Sequence, residues 1–249
     1  MTASARKALM VWACLLMVLQ PSMSYSEVTV DRTRVIYPAA AREVTVNLTN
    51  TAQAPRLVKV WIDEGDAEAS PEASDVPFTL NPPVFRMEAG SGRALRVLYH
   101  PSPRALKREE QVYWLNVLGI RPEALSTAQV STLQFAFRTR IKLFLRPASL
   151  KGKASEAVNS LRWQLNAREG GIVVDNPTNY HITLSSLLLS VAGKDFPSED
   201  PPMIAPRTTA KVVLPGLPGA AGRAPALRFT TLDDNGATQY HEAPLSIAE

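Results

Sequence analysis

The chain has 249 residues, of which 45% are hydrophobic and 20% are charged, with 27 basic and 23 acidic residues. This composition is ordinary for a globular protein and excludes a chain too polar to build a hydrophobic core. Because the sequence contains no block of like charge, nothing in it indicates a nucleic-acid-binding surface.

The first 26 residues have the pattern of a signal peptide. The basic pair Arg6-Lys7 precedes an apolar run over residues 8–19, and small residues follow around Tyr25. An apolar run of about 12 residues is too short to span a bilayer but has the length of a signal-peptide core. We therefore expect export and cleavage after Ser26. Cleavage removes Cys14, the single cysteine, so the mature protein has no disulfide to stabilise it.

Short segments rich in Val, Thr, Leu and Tyr follow the leader and are separated by turn residues. The strand candidates in this part of the chain are residues 28–30, 44–48, 57–62, 94–99, 112–118 and 133–145. Their spacing is typical of a β-sandwich of about seven strands. The 20 prolines would interrupt most long helices, and no amphipathic helix is predicted.

A domain boundary is predicted at Pro147, where the last of these strands ends and a polar segment begins. A second set of strand candidates follows at residues 161–165, 171–174, 181–191, 210–214 and 227–229. We therefore predict an all-β protein with two immunoglobulin-like β-sandwich domains in tandem. The predicted divisions are a signal peptide over 1–26, an N-terminal domain over 27–147 and a C-terminal domain over 148–249.

Residues 133–146 show the clearest periodicity in the chain. The odd positions are nearly all apolar and include Leu133, Phe135 and Phe137, whereas the even positions are mostly basic and include Lys142. This alternation predicts a strand about twice the usual length, and a regular strand would send Phe137 and Lys142 to opposite faces. Such a strand is long enough to leave an unpaired edge that invites pairing with another chain. Periodicity alone does not distinguish that edge from a long core strand.

Six sequence blocks resemble the periplasmic pilus (fimbrial) chaperones of the chaperone/usher pathway. The block RTRIKLFLRP at 138–147 is similar to the strand that ends the first domain in that family, where T-x-I-K-L-F-x-R-P is typical. The other blocks occur in family order and are VDRTR at 30–34, PPVFR at 82–86, EQVYWLN at 110–116, DNPTNY at 175–180 and MIAPR at 203–207. The resemblance therefore covers nearly the whole mature chain.

The resemblance implies a chaperone that stabilises pilus subunits whose sandwich lacks its last strand. Leu133, Phe135 and Phe137 would donate the missing strand, a mode of recognition known as β-augmentation. Arg34 and Lys142 match the two basic residues that bind the C-terminal carboxylate of the subunit, where a charge-assisted hydrogen bond also fixes the register. The same resemblance implies a periplasmic location and transfer of the subunit to an outer-membrane usher.

Three charged residues match the interdomain ionic cluster of the family. These are Glu110, Arg146 and Asp234, with Asp233 as an alternative to Asp234. The competing interpretation is that they are independent surface charges, which contribute little to stability.

The segment over residues 117–131 is short, and the mature chain lacks cysteine, as in the short-loop branch of the family. Gln111 and Arg121 depart from the usual residues at their positions. Self-association through the edge strand would cover that edge in the free chaperone.

Other functions leave little trace in the sequence. His100, His181 and His241 are scattered and lack metal-ligand spacing, and there is no nucleophile elbow, so we expect neither an enzyme nor a metal or other cofactor. An exported β-sandwich adhesin or carbohydrate-binding module remains an alternative, but it would not require basic residues at both Arg34 and Lys142.

Overall fold

The computed structural model describes residues 27–68, 70–71, 74–101, 108–122, 135–218 and 225–247. These residues form two β-sandwich domains, each with its own hydrophobic core between two sheets. The predicted all-β class is confirmed, since the one α-helix in the described part of the chain has only four residues. The predicted leader over residues 1–26 lies outside the described residues.

The first domain contains nine strands. They are β1 (Val28–Val30), β2 (Arg34–Pro38), β3 (Val44–Asn50), β4 (Arg56–Asp63), β5 (Phe78–Asn81), β6 (Val84–Met87), β7 (Gly92–Tyr99), β8 (Gln111–Ile120) and β9 (Phe137–Arg146). One sheet has the order β1-β3-β7-β5 and the other has the order β2-β9-β8-β4-β6. Alternate side chains of the two sheets meet in the core, which includes Tyr37, Leu48, Leu95 and Leu115.

The second domain contains the other nine strands and a short helix. They are α1 (Ala154–Ala157), β10 (Arg162–Asn166), β11 (Gly171–Asn176), β12 (Ile182–Val191), β13 (Lys194–Ser198), β14 (Met203–Ile204), β15 (Thr208–Val213), β16 (Ala226–Leu232), β17 (Thr238–Ala243) and β18 (Ser246–Ile247). One sheet has the order β15-β11-β10-β18. The other has the order β13-β12-β16-β17, with β14 also paired to β12.

The N-terminal strand region crosses from one sheet to the other. Strand β1 pairs with β3, whereas β2 pairs in parallel with β9, so the chain changes sheets at residues 31–33. The β2 ladder begins with Arg34 opposite Lys142 and ends with Pro38 opposite Arg146. Within the described residues, the first half of β9, from Phe137 to Ile141, therefore has only β8 as a ladder partner.

The structure corrects the predicted start of β9. Phe135 and Ala136 lie outside the ladder, and the first pair joins Phe137 to Gly119. The physical reason is that β8 ends at Ile120, close before Pro122, which has no backbone N–H to continue the pairing. Leu133 falls in a part of the chain that the structure does not describe.

Candidate functional site

Two exposed aromatic side chains lie at the start of β9, one on the strand and one just before it. Phe135 is 60% exposed and Phe137 is 46% exposed, whereas Ile141, further along the same face, is buried in the core. Exposed edges are normally blunted by charge, proline or a cover, and exposed aromatic side chains are unusual there. This combination makes the edge a candidate surface for pairing with another strand.

The two faces of β9 serve two different environments. The register between β8 and β9 runs without a break from Gly119–Phe137 to Gln111–Leu145, so no bulge changes the alternation. Ile141, Leu143 and Leu145 are buried in the first core. Lys142 and Phe144 therefore lie on the opposite face, away from Phe137 and the first core.

Arg34 and Lys142 are direct neighbours across the parallel β2–β9 ladder. Arg34 is only 8% exposed and its Nη1 donates to the carbonyl oxygen of Leu232 at 3.1 Å, but its Nε has no hydrogen-bond partner. Burial lowers the pKa of Arg34, and the carboxylates of Asp234, Asp233 and Glu110 oppose that effect. Arg34 is thus a buried cation with an unused donor.

The charged form of Lys142 is also disfavoured by its surroundings. Burial lowers the pKa of Lys142, the neighbouring Arg34 lowers it further, and Asp200 acts in the opposite direction. Among the described residues, its ammonium group makes no ion pair. Two like charges at adjacent ladder positions therefore lack a carboxylate between them, and a bound anion would relieve both penalties.

Two cavities lie beside these cations at the junction of the domains. Arg34 borders a cavity of about 760 Å³ that also contacts Phe144, Arg146 and His181. Lys142 borders a separate cavity of about 600 Å³ that also contacts Asp200 of the second domain. The two cations are therefore neighbours in the sheet but border different cavities.

Arg146 lies between the two acidic residues with which it was grouped in the sequence. Its Nε donates to Glu110 Oε1 at 2.5 Å, and its Nη1 and Nη2 donate to Asp234 at 2.6 and 2.7 Å. Burial alone would lower the pKa of Arg146, but the carboxylates of Asp234 and Glu110 more than offset it, so this pKa is raised. Asp233 instead accepts hydrogen bonds from the backbone of its own turn, at Asn235 and Ala237.

The junction also contains residues that the sequence did not single out. The second carboxylate oxygen of Glu110 accepts from the backbone N–H of His181 at 2.8 Å and lies 3.1 Å from its Nδ1. Phe144 is 3% exposed, with its ring 5.7 Å from that of His181, and the guanidinium of Arg146 lies 5.4 Å from the ring of Tyr180. The available signal was Phe144 itself, an apolar residue on the otherwise basic face of β9.

The described residues were also compared with the features of a metal site and of a membrane-spanning helix. In the described ranges, no group of three or more His, Cys, Asp or Glu side chains is arranged to hold a metal ion. No helix within those ranges is long and apolar enough to cross a membrane.

Comparison with known proteins gives family matches in both domains. Residues 27–151 match the family described as "Pili and flagellar-assembly chaperone, PapD N-terminal domain", and residues 156–243 match "Pili assembly chaperone PapD, C-terminal domain". The probable fimbrial chaperone YadV of Escherichia coli K12 is 41% identical over 219 residues, covering 86% of this chain and 88% of YadV. The chaperone protein FimB/FhaD of Bordetella pertussis is 35% identical over 237 residues, with 94% of both chains covered.

Solved structures give the same result. The crystal structure of YadV superposes with a TM-score of 0.76 at 37% identity, covering 88% of this chain and 99% of that one. The Pseudomonas aeruginosa CupB2 chaperone superposes with a TM-score of 0.72 at 32% identity, covering 88% of this chain and all of that one. The similarity therefore includes both domains and their arrangement in one chain.

Proposed function

This chain belongs to the pili and flagellar-assembly chaperone family, and we propose that it binds pilus subunits by lending them the free edge of β9. The observation that carries the proposal is the continuity of β9. The half of β9 that has one ladder partner among the described residues begins at the exposed Phe137 and leads directly to Lys142, which lies opposite Arg34. A partner strand laid along that edge would end at two cations.

The edge supplies the apolar part of the interaction. Fully burying a large apolar side chain contributes roughly 1.5–3 kcal/mol. Phe135 and Phe137 are 60% and 46% exposed, so burying the rest of both would contribute about 2–3 kcal/mol together before ordering costs are subtracted. Leu133 would extend the same odd-numbered face. The backbone of Phe137 to Ile141 would complete the ladder of a subunit that lacks its last strand.

The cation pair would bind the C-terminal carboxylate of the subunit. Neither Arg34 nor Lys142 makes an ion pair within the described residues, and each borders a cavity, so both can donate to an anion. A carboxylate bound here also fixes the register of the added strand. A slip of one residue would turn its apolar side chains away from the partner.

Further expectations follow from the same family membership. We propose export to the periplasm with cleavage after Ser26, and transfer of bound subunits to an outer-membrane usher. We place the domain boundary between residues 147 and 148, with an N-terminal domain over 27–147 and a C-terminal domain over 148–249. In the absence of a subunit, a second copy of the chain is a further candidate partner for the β9 edge.

Co-purification of a pilus subunit tests the proposal. The subunit encoded in the same genomic neighbourhood is expressed in a periplasm together with the wild-type protein, Lys142→Ala or Lys151→Ala. Because truncating one member of a buried charge pair costs about 2–5 kcal/mol, capture by Lys142→Ala should fall at least about tenfold. Lys151 is exposed and borders neither cavity, so its variant should capture normally.

The experiment distinguishes a failure of the carboxylate anchor from a failure of the whole proposed function. Equal capture by wild type and a folded Lys142→Ala variant would remove Lys142 from the site and leave strand pairing alone. Absence of capture by the wild type would contradict the proposed function as a whole.

A further inference from the structure

The face of β9 that points away from the first core carries two arginines beside the free edge. Arg138 and Arg140 flank Thr139 and occupy the half of β9 that has one ladder partner in the described structure. They lie on the opposite face from Phe137. The carboxylate-anchor proposal and the interdomain cluster use neither of them.

Both arginines converge on a buried carboxylate. Asp63, at the end of β4, is 2% exposed, and its Oδ1 accepts from Arg140 Nη2 at 2.6 Å. Its Oδ2 accepts from Asn116 Nδ2 at 2.7 Å and lies 3.8 Å from Arg138 Nη2. Arg138 Nε donates in turn to Asn116 Oδ1 at 2.8 Å. One carboxylate thus connects β4, β8 and the two arginines Arg138 and Arg140 of β9.

Arg138 and Arg140 also contact aromatic rings, and Arg138 contacts a loop. The guanidinium of Arg138 lies 5.0 Å from the ring of Trp61, and that of Arg140 lies 4.7 Å from the ring of Trp114. Arg138 Nη1 also donates to the carbonyl oxygen of Ala67 at 2.6 Å. Stacked, hydrogen-bonded guanidinium groups lose the freedom that long basic side chains usually keep at a surface.

We propose that Asp63, acting through Arg138 and Arg140, is a positioning residue that holds the free half of β9 in the strand conformation required for pairing with a subunit. The inference rests on the proposed function, because it assigns a purpose to the conformation of that edge. Asp63 itself does not contact the partner strand.

The physical basis is the cost of ordering an edge. Among the described residues, 142–145 of β9 lie between two ladder partners, whereas 137–141 pair with β8 alone. The segment 137–141 therefore opens more easily. A strand that must be ordered during binding spends part of the interaction free energy on that ordering. Side-chain bonds on the face away from Phe137 can hold the backbone without covering the pairing edge.

Hydrogen exchange measured by mass spectrometry on the free protein tests the inference. In Asp63→Asn, those amides of residues 137–141 that are hydrogen-bonded to β8 should exchange at least about tenfold faster than in the wild type, while the amides of 142–146 remain unchanged. Glu88→Gln is the matched control, because it removes an arginine-paired carboxylate that is exposed on the same sheet. Exchange in that variant should equal that of the wild type throughout β9.

A second variant and a second control cover the case in which Asp63→Asn does not fold. Arg138→Gln changes a partly exposed side chain and should produce the same selective acceleration. Val46→Ala, in the opposite sheet, destabilises the first core and should not accelerate residues 137–141 selectively. Unchanged or uniform exchange in the folded variants would overturn the inference.

Subunit association separates this inference from the proposed function. With the co-expressed pilus subunit as the probe, the association rate should fall in the folded Asp63→Asn or Arg138→Gln variant and stay normal in Glu88→Gln. Normal association despite faster exchange would overturn the positioning role and leave the proposed function intact. Failure of the wild type to bind the subunit would count against the proposed function instead, because the exchange result does not depend on a partner.

Discussion

At the scale of single residues, the cations that carry the proposed function are unfavourable in the free protein. Arg34 is buried and Lys142 is partly buried, and the two are adjacent in the ladder. In the part of the chain that the structure describes, neither makes an ion pair. The pKa of each is lowered mainly by burial, so keeping both side chains charged reduces the free energy of unfolding. An anion that binds here gains the interaction that the fold itself does not provide. This is the electrostatic pattern of a binding site rather than of a structural ion pair.

Glu27 shows the opposite pattern and explains Arg121, one of the two departures from the family sequence. The buried Glu27 carboxylate accepts from Arg56 Nε at 2.7 Å and from Arg121 Nε at 2.8 Å. The Arg56 hydrogen bond is the main cause that lowers the pKa of Glu27 to about 2, with burial opposing it and Arg121 assisting. Arg121 therefore has a structural partner in Glu27.

We predict that Glu27→Gln destabilises the protein in a pH-dependent way. A pKa lowered from 4.5 to about 2 corresponds to roughly 3 kcal/mol at neutral pH. Because the folded pKa is the lower one, this stabilisation is present above pH 4.5 and is lost as the pH falls towards 2. Urea unfolding of wild type and variant should differ most at pH 7 and by less than half as much at pH 3. A pH-independent difference would contradict the prediction, and the exposed Glu88→Gln serves as the control.

At the scale of elements, β9 combines three environments in ten residues. Its odd-numbered side chains change from exposed at Phe137 to fully buried at Leu143, and its even-numbered face holds Arg138 and Arg140 at one end and Phe144 at the other. The change occurs where β2 joins the ladder at Lys142. The strand is therefore a core element at one end and an accessible edge at the other.

We predict that Phe137→Asp abolishes subunit capture and leaves the fold intact. Phe137 is 46% exposed, so the new carboxylate can stay hydrated in the free protein, but pairing would desolvate it in an apolar groove. Capture of the co-expressed subunit should fall more than tenfold, which corresponds to about 1.4 kcal/mol. Tyr240→Asp, at an aromatic residue of the second domain that is 85% exposed, should capture normally. Equal capture by both variants would show that the β9 edge does not contact the subunit.

The sequence predicted the faces of β9 better than its length. Period-2 alternation is a local property, and it separated Ile141, Leu143 and Leu145 from the basic face. The end of a ladder depends on the partner strand, so the loss of pairing before Phe137 was not visible from β9 alone. The sequence analysis missed β13, which contains a proline, and β17, which is mostly polar. Both are edge strands, and an edge strand tolerates such residues because only one of its sides is paired.

The contact between the positions of Arg34 and Lys142 could not be predicted from periodicity, for a similar reason. The two residues are 108 positions apart, and their juxtaposition depends on the parallel register of β2 with β9. Resemblance to a family pointed to both positions, whereas the residues themselves carried no such signal. Asp63 shows what the sequence did not reveal: an acidic residue just after the predicted strand 57–62 is buried and contacts two arginines.

At the scale of the whole molecule, the two sandwiches are joined by polar contacts of unequal burial. Glu110 is fully buried and binds Arg146 of its own domain and His181 of the second domain. Asp234 of the second domain is about half exposed and also binds Arg146. Gly236 has φ +82°, and a side chain there would clash with Thr33 of the first domain. A buried carboxylate, an outer ion pair and a close contact at a glycine thus connect the two domains.

We predict that Glu110→Gln uncouples the two domains, whereas Asp234→Asn does not. Removing the buried carboxylate leaves Arg146 inadequately paired, which should cost about 3 kcal/mol or more, while the exposed partner should cost less than about 1 kcal/mol. Because each sandwich has its own core, losing the coupling should turn a single calorimetric unfolding transition into two. Small-angle scattering should report a larger radius of gyration for Glu110→Gln alone. If Asp234→Asn instead splits the transition, the outer ion pair sets the domain angle and the buried carboxylate serves the stability of the first domain.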